Sequence, residues 1–439
     1  MSGTLVNDVS SGFRINPLTG SHITVRSADG AMIELADGRS LIDTFMAHGT
    51  TILGHHDRRV FGAVRDALTD GVLLGYETSL GATVADRLAA ILPGAEKIRF
   101  CTSGTEAVAT ALRMCRAHTG KDLVIKMDGH YNGSSDYALM NSMWVASDPD
   151  FPVGTEARRI RSSNGIPTEA AESMIPVPWN DPDALANTLA EYGNDIAAIL
   201  MVPLDLNNGC ISPASGYLEF ARAKASEYSV PLIFDEVLAG FKTGLIGAAG
   251  LYGVTPDVSI WSKALSCGFP VSVIAGRADI MQVMGTPLPQ GVLQGGTHAG
   301  NIVGLAAAQA TLDILTEDGF YDELLGRAGV FYGNLSEAIN GAGLPARVQG
   351  EGVGYGVYIG TTEKIDSVAD IRRYVDHDLA SNFFTACLEQ GVYFHTDFTV
   401  TSAHTEQILA ELVDRAAVAA RRVAKGLIHT PNVAAGISA

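Results

Sequence analysis

The sequence predicts an α/β protein whose central sheet is mostly parallel and carries helices on both faces. Short apolar runs alternate with segments of helical character through the middle of the chain, an order typical of parallel strands joined by helical crossovers. Of the 439 residues, 47% are hydrophobic and 18% are charged, so a large buried core is expected. The net charge of −18 disfavours nucleic acids and anionic membranes as partners.

Each predicted strand of the sheet is an apolar run bounded by loop or helix signals. In chain order these runs are Lys97–Cys101, Leu123–Met127, Ile196–Val202, Val230–Phe234 and Asp257–Trp261. Pro182–Tyr192 and Tyr217–Tyr228 are predicted to be helical crossovers. The further run Val271–Ala275 follows too closely for a helical crossover, so an antiparallel neighbour is expected there.

Three regions are predicted along the chain: an N-terminal segment over 1–60, a large domain over 61–310 and a C-terminal small domain over 311–439. The first region contains a predicted hairpin of Ile23–Arg26 and Met32–Leu35 with a turn at Asp37-Gly38. In the last region, Gly356–Ile359 is strand-like. The stretch Met140–Ile175 is rich in Ser, Asp, Pro and Gly, and we expect a functional loop such as a lid.

Cysteine usage and the N-terminal residues predict a soluble cytoplasmic protein. Five cysteines are an odd number and have no pairs at metal-ligand spacing, so neither a disulfide framework nor a metal site is expected. The first residues lack a basic start followed by an apolar run, and no apolar stretch approaches the ~20 residues of a membrane span.

The most informative pair of residues is Asp235 and Lys263, each of which directly follows a predicted buried strand. A carboxylate and an amine at the ends of neighbouring parallel strands suit pyridoxal phosphate, which needs a lysine for its Schiff base and a carboxylate at its ring nitrogen. Taken singly, the aspartate is more typical of a helix N-cap and the lysine of a solvated surface group.

A second motif, Ser103-Gly104-Thr105, lies between the strand Lys97–Cys101 and a predicted helix, Glu106–His118. Glycine permits close backbone approach, and the free N–H groups of a helix start favour a phosphate. Alternatively, Ser103 simply caps this helix, which Gly120 would end. A dinucleotide-binding turn at residues 352–356 is discounted because the third glycine is missing and a strand follows.

Taken together, these motifs resemble those of class III pyridoxal-phosphate-dependent aminotransferases, and most closely those of glutamate-1-semialdehyde aminomutase and related amino-acid aminotransferases. The resemblance covers nearly the whole chain in the right order. The matching segments are Ala28-Asp29-Gly30, Asp37-Gly38, Ile52-Leu53-Gly54-His55, Phe100 to Ala107, Asp235-Glu236-Val237 with Gly240-Phe241, Lys263, Gly276-Arg277, and Gly296-Thr297 with Gly300-Asn301. It implies fold type I, with a smaller α+β domain built from the N- and C-terminal segments.

The resemblance also implies a role for each matching residue. Lys263 would form the Schiff base and shuttle the proton, and Asp235 would pair with the pyridine nitrogen of pyridoxal 5′-phosphate. The remaining cofactor contacts would be Ser103, Gly104 and Thr105 at the phosphate, Tyr131 and Val237 on the two ring faces, Asn207 at the phenolic oxygen, and Thr297 at the phosphate of the neighbouring subunit. A homodimer is therefore implied. Tyr131, Asn207 and Thr297 remain equally explicable as a half-buried tyrosine and two turn residues.

Several positions depart from the family pattern. Val202 stands where the family has a glutamate before proline, Asn132 replaces the histidine after the ring tyrosine, and Lys242 replaces an arginine. His48 stands where the aminomutase has tryptophan, and the C-terminal loop that carries an acidic residue in the aminomutase is shortened. The cofactor set is thus intact, whereas the substrate set differs.

The expected reaction is amino transfer between an amino acid and a keto acid. A substrate carboxylate would favour an arginine partner, and Arg14 is the candidate, whereas Arg26 reads as a surface charge. An intramolecular aminomutase or an amino-acid epimerase remains the alternative, followed by a non-catalytic relative that binds only the cofactor or a partner protein.

Overall fold

A computed structural model of the chain describes residues 3–142, 159–395 and 397–428. Its strands are β1 (Val25–Asp29), β2 (Met32–Leu35), β3 (Ser40–Asp43), β4 (Lys97–Cys101), β5 (Leu123–Met127), β6 (Met174–Val177), β7 (Ile196–Met201), β8 (Leu232–Asp235), β9 (Val258–Trp261), β10 (Ser272–Gly276), β11 (Ala346–Glu351), β12 (Gly354–Ile359), β13 (Val392–Tyr393) and β14 (Phe398–Thr399).

The helices are α1 (Met46–Gly49), α2 (Arg58–Ala67), α3 (Ser79–Ile91), α4 (Gly104–Thr119), α5 (Thr168–Glu172), α6 (Pro182–Tyr192), α7 (Tyr217–Glu227), α8 (Gly247–Leu251), α9 (Ala278–Met281), α10 (Ile302–Leu315), α11 (Phe320–Gly341), α12 (Val368–Tyr374), α13 (His377–Glu389) and α14 (Glu406–Ala424). No helix formed by the described residues has the length and apolar character needed to span a bilayer.

The chain divides into two compact units. The large unit comprises Arg58–Tyr321 and Ile365–Arg372, and the small unit comprises Met1–Asp57, Asp322–Lys364 and Arg373–Ala439. The strands of the described residues form one sheet in the large unit and two in the small unit.

The large unit is built on one sheet with the strand order β4-β10-β9-β8-β7-β5-β6. Strands β5 to β9 pair in parallel, while β10 is antiparallel to both β4 and β9, so β4 runs in the same direction as the parallel strands. The predicted antiparallel run is therefore confirmed. Strands β7, β8 and β9 are buried at every residue, as expected where helices cover both faces of a parallel sheet.

The strand β6 begins within the predicted loop Met140–Ile175, at Met174, and ends two residues after it, at Val177. β6 contains Pro176, which has no N–H group to donate to a neighbouring strand, and β6 is accordingly an edge strand. The middle of the predicted loop, 143–158, lies outside the described residues.

The small unit contains the sheet β1-β2-β3-β13 and the sheet β11-β12-β14. The predicted turn of the N-terminal hairpin is wrong. Gly30, with φ +54°, lies between β1 and β2, and Asp37-Gly38 instead connects β2 to β3, a strand too short to stand out in the sequence.

The backbone of α1 is unusual because its four residues all have positive φ, from +48° at Met46 to +65° at Gly49. A left-handed turn costs L-residues about 1–2 kcal/mol each, so three of the four positions are strained. Asp43 offsets part of this cost at the start of the turn. Its carboxylate accepts the N–H groups of Phe45 at 2.9 Å and Met46 at 3.1 Å.

Candidate active site

The predicted site residues of the large unit, apart from Thr297, follow the carboxyl ends of strands that run in one direction. Ligands of open α/β sheets bind at this edge. The residues are Ser103, Gly104 and Thr105 after β4, Tyr131 after β5, Asn207 after β7, Asp235 and Val237 at the end of β8, and Lys263 after β9.

Ser103 is the N-cap of α4. Its Oγ accepts the Glu106 N–H at 3.2 Å, the Glu106 carboxylate accepts the Thr102 N–H at 2.8 Å, and Gly120 ends the helix with φ +68°. The capping interpretation of Ser103 is therefore correct. The N–H groups of Gly104 and Thr105 open the helix and have no carbonyl one turn earlier to bind, which leaves them available to an anion.

Two glycines fit closely around this helix start. A Cβ atom at Gly104 would lie 3.1 Å from both γ-carbons of Val237, so the side chain of Val237 lies against the start of α4. A Cβ atom at Gly133, whose φ is +92°, would lie 2.7 Å from Thr105 Oγ1. The Ser134 N–H also donates to that hydroxyl at 3.3 Å. The turn after β5 thus supports Thr105.

Asp235 is 3% exposed and is held by two hydrogen bonds. Asn132 Nδ2 donates to Oδ2 at 2.8 Å, and the Val237 N–H donates to Oδ1 at 3.1 Å. Burial raises the pKa of the carboxyl, while these bonds and the charges of Lys263 and Lys126 act in the opposite direction. A cation beside this carboxylate would favour its ionised form.

Lys263 follows β9 at the same edge of the sheet. Asp235 pairs with Ile260 in the parallel ladder between β8 and β9, and Lys263 lies three residues beyond Ile260. Its φ is +42°, a region that residues with a Cβ rarely adopt, and its side chain is half-buried. Backbone strain at a chemically reactive residue is common in functional sites.

Tyr131 and Asn207 lie in turns at this same edge. Tyr131 is half-buried and precedes Asn132, which contacts Asp235. The Asn207 N–H donates to Asp205 Oδ1 at 3.0 Å, which fixes the turn after β7. The side-chain amide of Asn207 makes no hydrogen bond with any residue in the described part of the chain.

Two predicted site residues lie elsewhere. Thr297 is exposed in the loop before α10, next to Gly296, whose added Cβ would lie 3.4 Å from Glu106 Oε1 at the start of α4. Arg14 belongs to the small unit, where it ends the 3-10 turn Gly12–Arg14 and is exposed. Arg26 forms an exposed ion pair with Glu34, in agreement with its interpretation as a surface charge.

The small unit contains a polar pair that was not predicted. His48, on the left-handed turn α1, places Nδ1 2.8 Å from Asp397 Oδ2, and both residues have positive φ. The centroids of the Phe45 and His48 rings are 4.3 Å apart. The departure from tryptophan at His48 was visible in the sequence, but its partner, 349 residues away, was not.

The sequence also did not predict the hydrogen bonds that Asn132 and Lys126 make near Asp235 and His130. Asn132 was recognised only as a departure from the family pattern. Lys126 is a lysine in an otherwise apolar strand and is 1% exposed, a signal that the sequence does contain.

The chain is similar to a known protein family and to several solved structures. The sequence profile of a family described as aminotransferase class-III matches residues 16–415. The fold is similar to that of an omega-transaminase from Sphaerobacter thermophilus, with 26% identity, a TM-score of 0.87 and coverage of 97% of this chain and 96% of that one.

Two other solved structures have the same fold at lower identity. The β-phenylalanine aminotransferase from Variovorax paradoxus has 21% identity and a TM-score of 0.82, over 98% of this chain and 94% of that one. A glutamate-1-semialdehyde aminomutase from Pseudomonas aeruginosa PAO1 has 24% identity and a TM-score of 0.80, over 92% of this chain and 88% of that one.

Proposed function

The chain belongs to the class-III aminotransferases, which use pyridoxal 5′-phosphate, and on that basis we propose that Lys263 binds this cofactor covalently while Asp235 pairs with its ring nitrogen. The observation that carries the proposal is the placement of these two residues at the ends of adjacent parallel strands. The start of α4 lies at the same edge.

The residues at this edge suit the cofactor's three polar groups. The unpaired N–H groups at the start of α4 suit a phosphate, and the buried carboxylate of Asp235 suits a protonated ring nitrogen. The free amide of Asn207 suits the phenolic oxygen. In addition, Asn132 Oδ1 is buried without a hydrogen-bond partner in the described structure, so the site has acceptor capacity that the protein leaves unused.

The cofactor, when bound, supplies an electron sink for the bonds at the substrate's amino-bearing carbon. The protein's contribution is to position groups and move a proton. Asp235 keeps a positive charge at the ring nitrogen, Tyr131 and Val237 enclose the ring, and the Lys263 amine returns as the base once the substrate has displaced it.

We propose that a further contact to the phosphate comes from another subunit. Thr297 is exposed in the loop before α10, so a neighbouring copy of the chain can reach it. We therefore propose a homodimer in which Thr297 serves the partner's cofactor. All five cysteines are buried free thiols, which supports a cytoplasmic location.

For the substrate, we propose an amino acid whose carboxylate is bound by Arg14. The exposed guanidinium at the end of its short turn supports this assignment. The altered positions Val202, Asn132 and Lys242 indicate a specificity different from that of the aminomutase relatives.

The first prediction concerns Lys263. Mixing the protein with pyridoxal phosphate should produce a visible absorption band that borohydride reduces, and peptide mapping should then locate the label on Lys263. Lys263→Ala should lose the band and lower activity by several orders of magnitude. Lys121→Ala is the matched control, because Lys121 binds the carbonyl of Gly193 away from this edge, and it should label normally.

A single-turnover screen of amino donors identifies the reaction. A donor that bleaches the band, followed by recovery only after a keto acid is added, establishes amino transfer. Conversion of one substrate with no keto acid would replace the transferase assignment with the mutase or epimerase. A wild-type protein that stays colourless would contradict the cofactor assignment itself.

A further inference from the structure

Lys126 is a fully buried lysine in the sheet of the large unit, on the strand next to the edge strand β6. It lies on β5, where it pairs with Pro176 of β6 on one side and Leu200 of β7 on the other. Lysines are almost never fully buried without compensating partners. This one costs stability in a position that an apolar residue would fill, so its charge or its hydrogen bonds require an explanation.

The hydrogen bonds of Lys126 are made with the turn that follows its own strand. Its Nζ donates to the carbonyl oxygens of His130 and, at 3.4 Å, of Met127. The same turn is held from β7, because the Val202 N–H donates to His130 Nδ1 at 3.0 Å. The ammonium group therefore supports the backbone directly before Tyr131 and Asn132.

That turn carries the contacts of the site. Asn132 donates to Asp235 across 103 residues of sequence, and Gly133 and Ser134 enclose the hydroxyl of Thr105. A displacement of the turn at His130 would move both contacts together.

The charge of Lys126 faces acidic groups. Burial lowers the pKa of Lys126 to about 8, and the negative charges of Asp128, Asp205 and Asp235 act to raise it. His130 is a further titratable neighbour, and its pKa is held well below its usual value by burial and by this lysine, so the imidazole is neutral.

We propose that Lys126 is a positioning residue for Asp235. It holds the turn 127–134 through the His130 carbonyl, and its ammonium group supplies a positive charge that acts on Asp235. This inference rests on the proposed function, in which Asp235 faces the cofactor ring. The amine of Lys263 takes part in the chemistry during turnover, whereas the ammonium group of Lys126 does not. The positive charge of Lys126 therefore continues to act on Asp235 throughout the reaction.

The test compares Lys126→Met with Lys126→Arg and Lys121→Met. The measurements are the affinity of the apo-protein for pyridoxal phosphate and the pH midpoint at which the bound cofactor's visible absorption changes. Lys121→Met is the matched control because Lys121 also donates to a backbone carbonyl, that of Gly193 at 3.1 Å, distant from this turn in the sequence.

We expect Lys126→Met to weaken pyridoxal phosphate binding about tenfold and to raise the midpoint by about one pH unit, since the loss of a nearby positive charge favours the protonated form. Lys126→Arg should recover most of the midpoint, and Lys121→Met should leave it unchanged. Combining Lys126→Met with Asn132→Ala should shift the midpoint by less than the sum of the single changes.

A midpoint in Lys126→Met equal to that of wild type would overturn the proposal, even if the variant were less stable. If Lys126→Met does not fold, Lys126→Gln, which keeps a side-chain N–H donor, replaces it. Failure of both to fold would show that the lysine serves the fold rather than Asp235. Absence of cofactor binding by the wild type would instead reject the proposed function.

Discussion

At the scale of single residues, Asn132 and Asp235 show how the site depends on contacts between distant parts of the sequence. The hydrogen bond from Asn132 Nδ2 is buried, and it offsets part of the cost of burying the Asp235 carboxylate. The donor is an uncharged side-chain amide, and the other described hydrogen bond to Asp235 comes from the backbone N–H of Val237. Neither donor titrates.

A prediction follows for Asn132. Asn132→Ala should lower kcat by about 10- to 100-fold, because Asp235 loses a directed donor and its protonated form becomes more favourable. Asn132→His, which restores a ring donor, should keep most of the activity. The measurement is steady-state kinetics alongside the visible absorption of the bound cofactor.

The control for this change is Asn340→Ala. Asn340 makes side-chain hydrogen bonds to Ser336 and Ala346 in the small unit, so its loss should lower stability. It should not alter the visible absorption. An equal change of the spectrum in both variants would assign the Asn132 effect to general destabilisation.

At the scale of secondary-structure elements, the left-handed turn α1 is the least expected feature of the chain. Met46, Ala47 and His48 all have positive φ without being glycine, asparagine or aspartate. Asp43 holds one end of the turn and the His48–Asp397 pair holds the other. Hydrogen bonds at both ends thus compensate for an unfavourable backbone.

The strained backbone of this turn leads to the prediction that replacing an alanine by glycine here increases stability. Ala47 is exposed with φ +54°, so Ala47→Gly should raise the free energy of unfolding by about 0.5–1 kcal/mol, as the relief of strain exceeds the added chain entropy. The same substitution at Ala410, exposed in the right-handed helix α14, should lower it by about 1 kcal/mol. Chemical denaturation measures both. Destabilisation by Ala47→Gly would contradict the strained turn.

The elements also show what a single sequence can and cannot predict. The buried strands β5, β7, β8 and β9 were predicted because apolar runs identify them directly. β6 was missed because Pro176 and the polar residues before it are typical of loops. α1 was missed because residues 46–48 include no glycine to indicate positive φ.

The placement of the candidate site residues was predicted to the extent that they follow strand ends. Asp235 and Lys263 end or follow strands, so their sequence positions predict their place at one edge. The bond between Asn132 and Asp235 and the support of the turn by Lys126 are side-chain contacts, and a sequence pattern contains no information about which distant side chains meet.

At the scale of the whole molecule, the proposed homodimer can be tested by mixing two defective subunits. Thr297→Asp should repel the phosphate of the partner's cofactor, and Lys263→Ala lacks the covalent lysine. A mixed dimer has one site with both functional residues, so random reassociation should restore about a quarter of the sites. Cofactor absorption and activity of the reassociated mixture measure this fraction.

Two outcomes would argue against this arrangement. A monomer in sedimentation analysis would reject the dimer. A mixture that stays as inactive as its components, while each forms dimers, would show that Thr297 does not act across the interface.

The sheet order has a consequence for how the protein matures. The candidate site residues follow β4, β5, β7, β8 and β9, strands that are spread over the chain from residue 97 to residue 261. Lys263 is the last of these candidate residues in the sequence. It reaches the strand end next to Asp235 only when β9 has paired with β8. The proposed cofactor site is therefore complete only when β9 has paired with β8, and we expect a partly folded chain to lack the visible absorption of the bound cofactor.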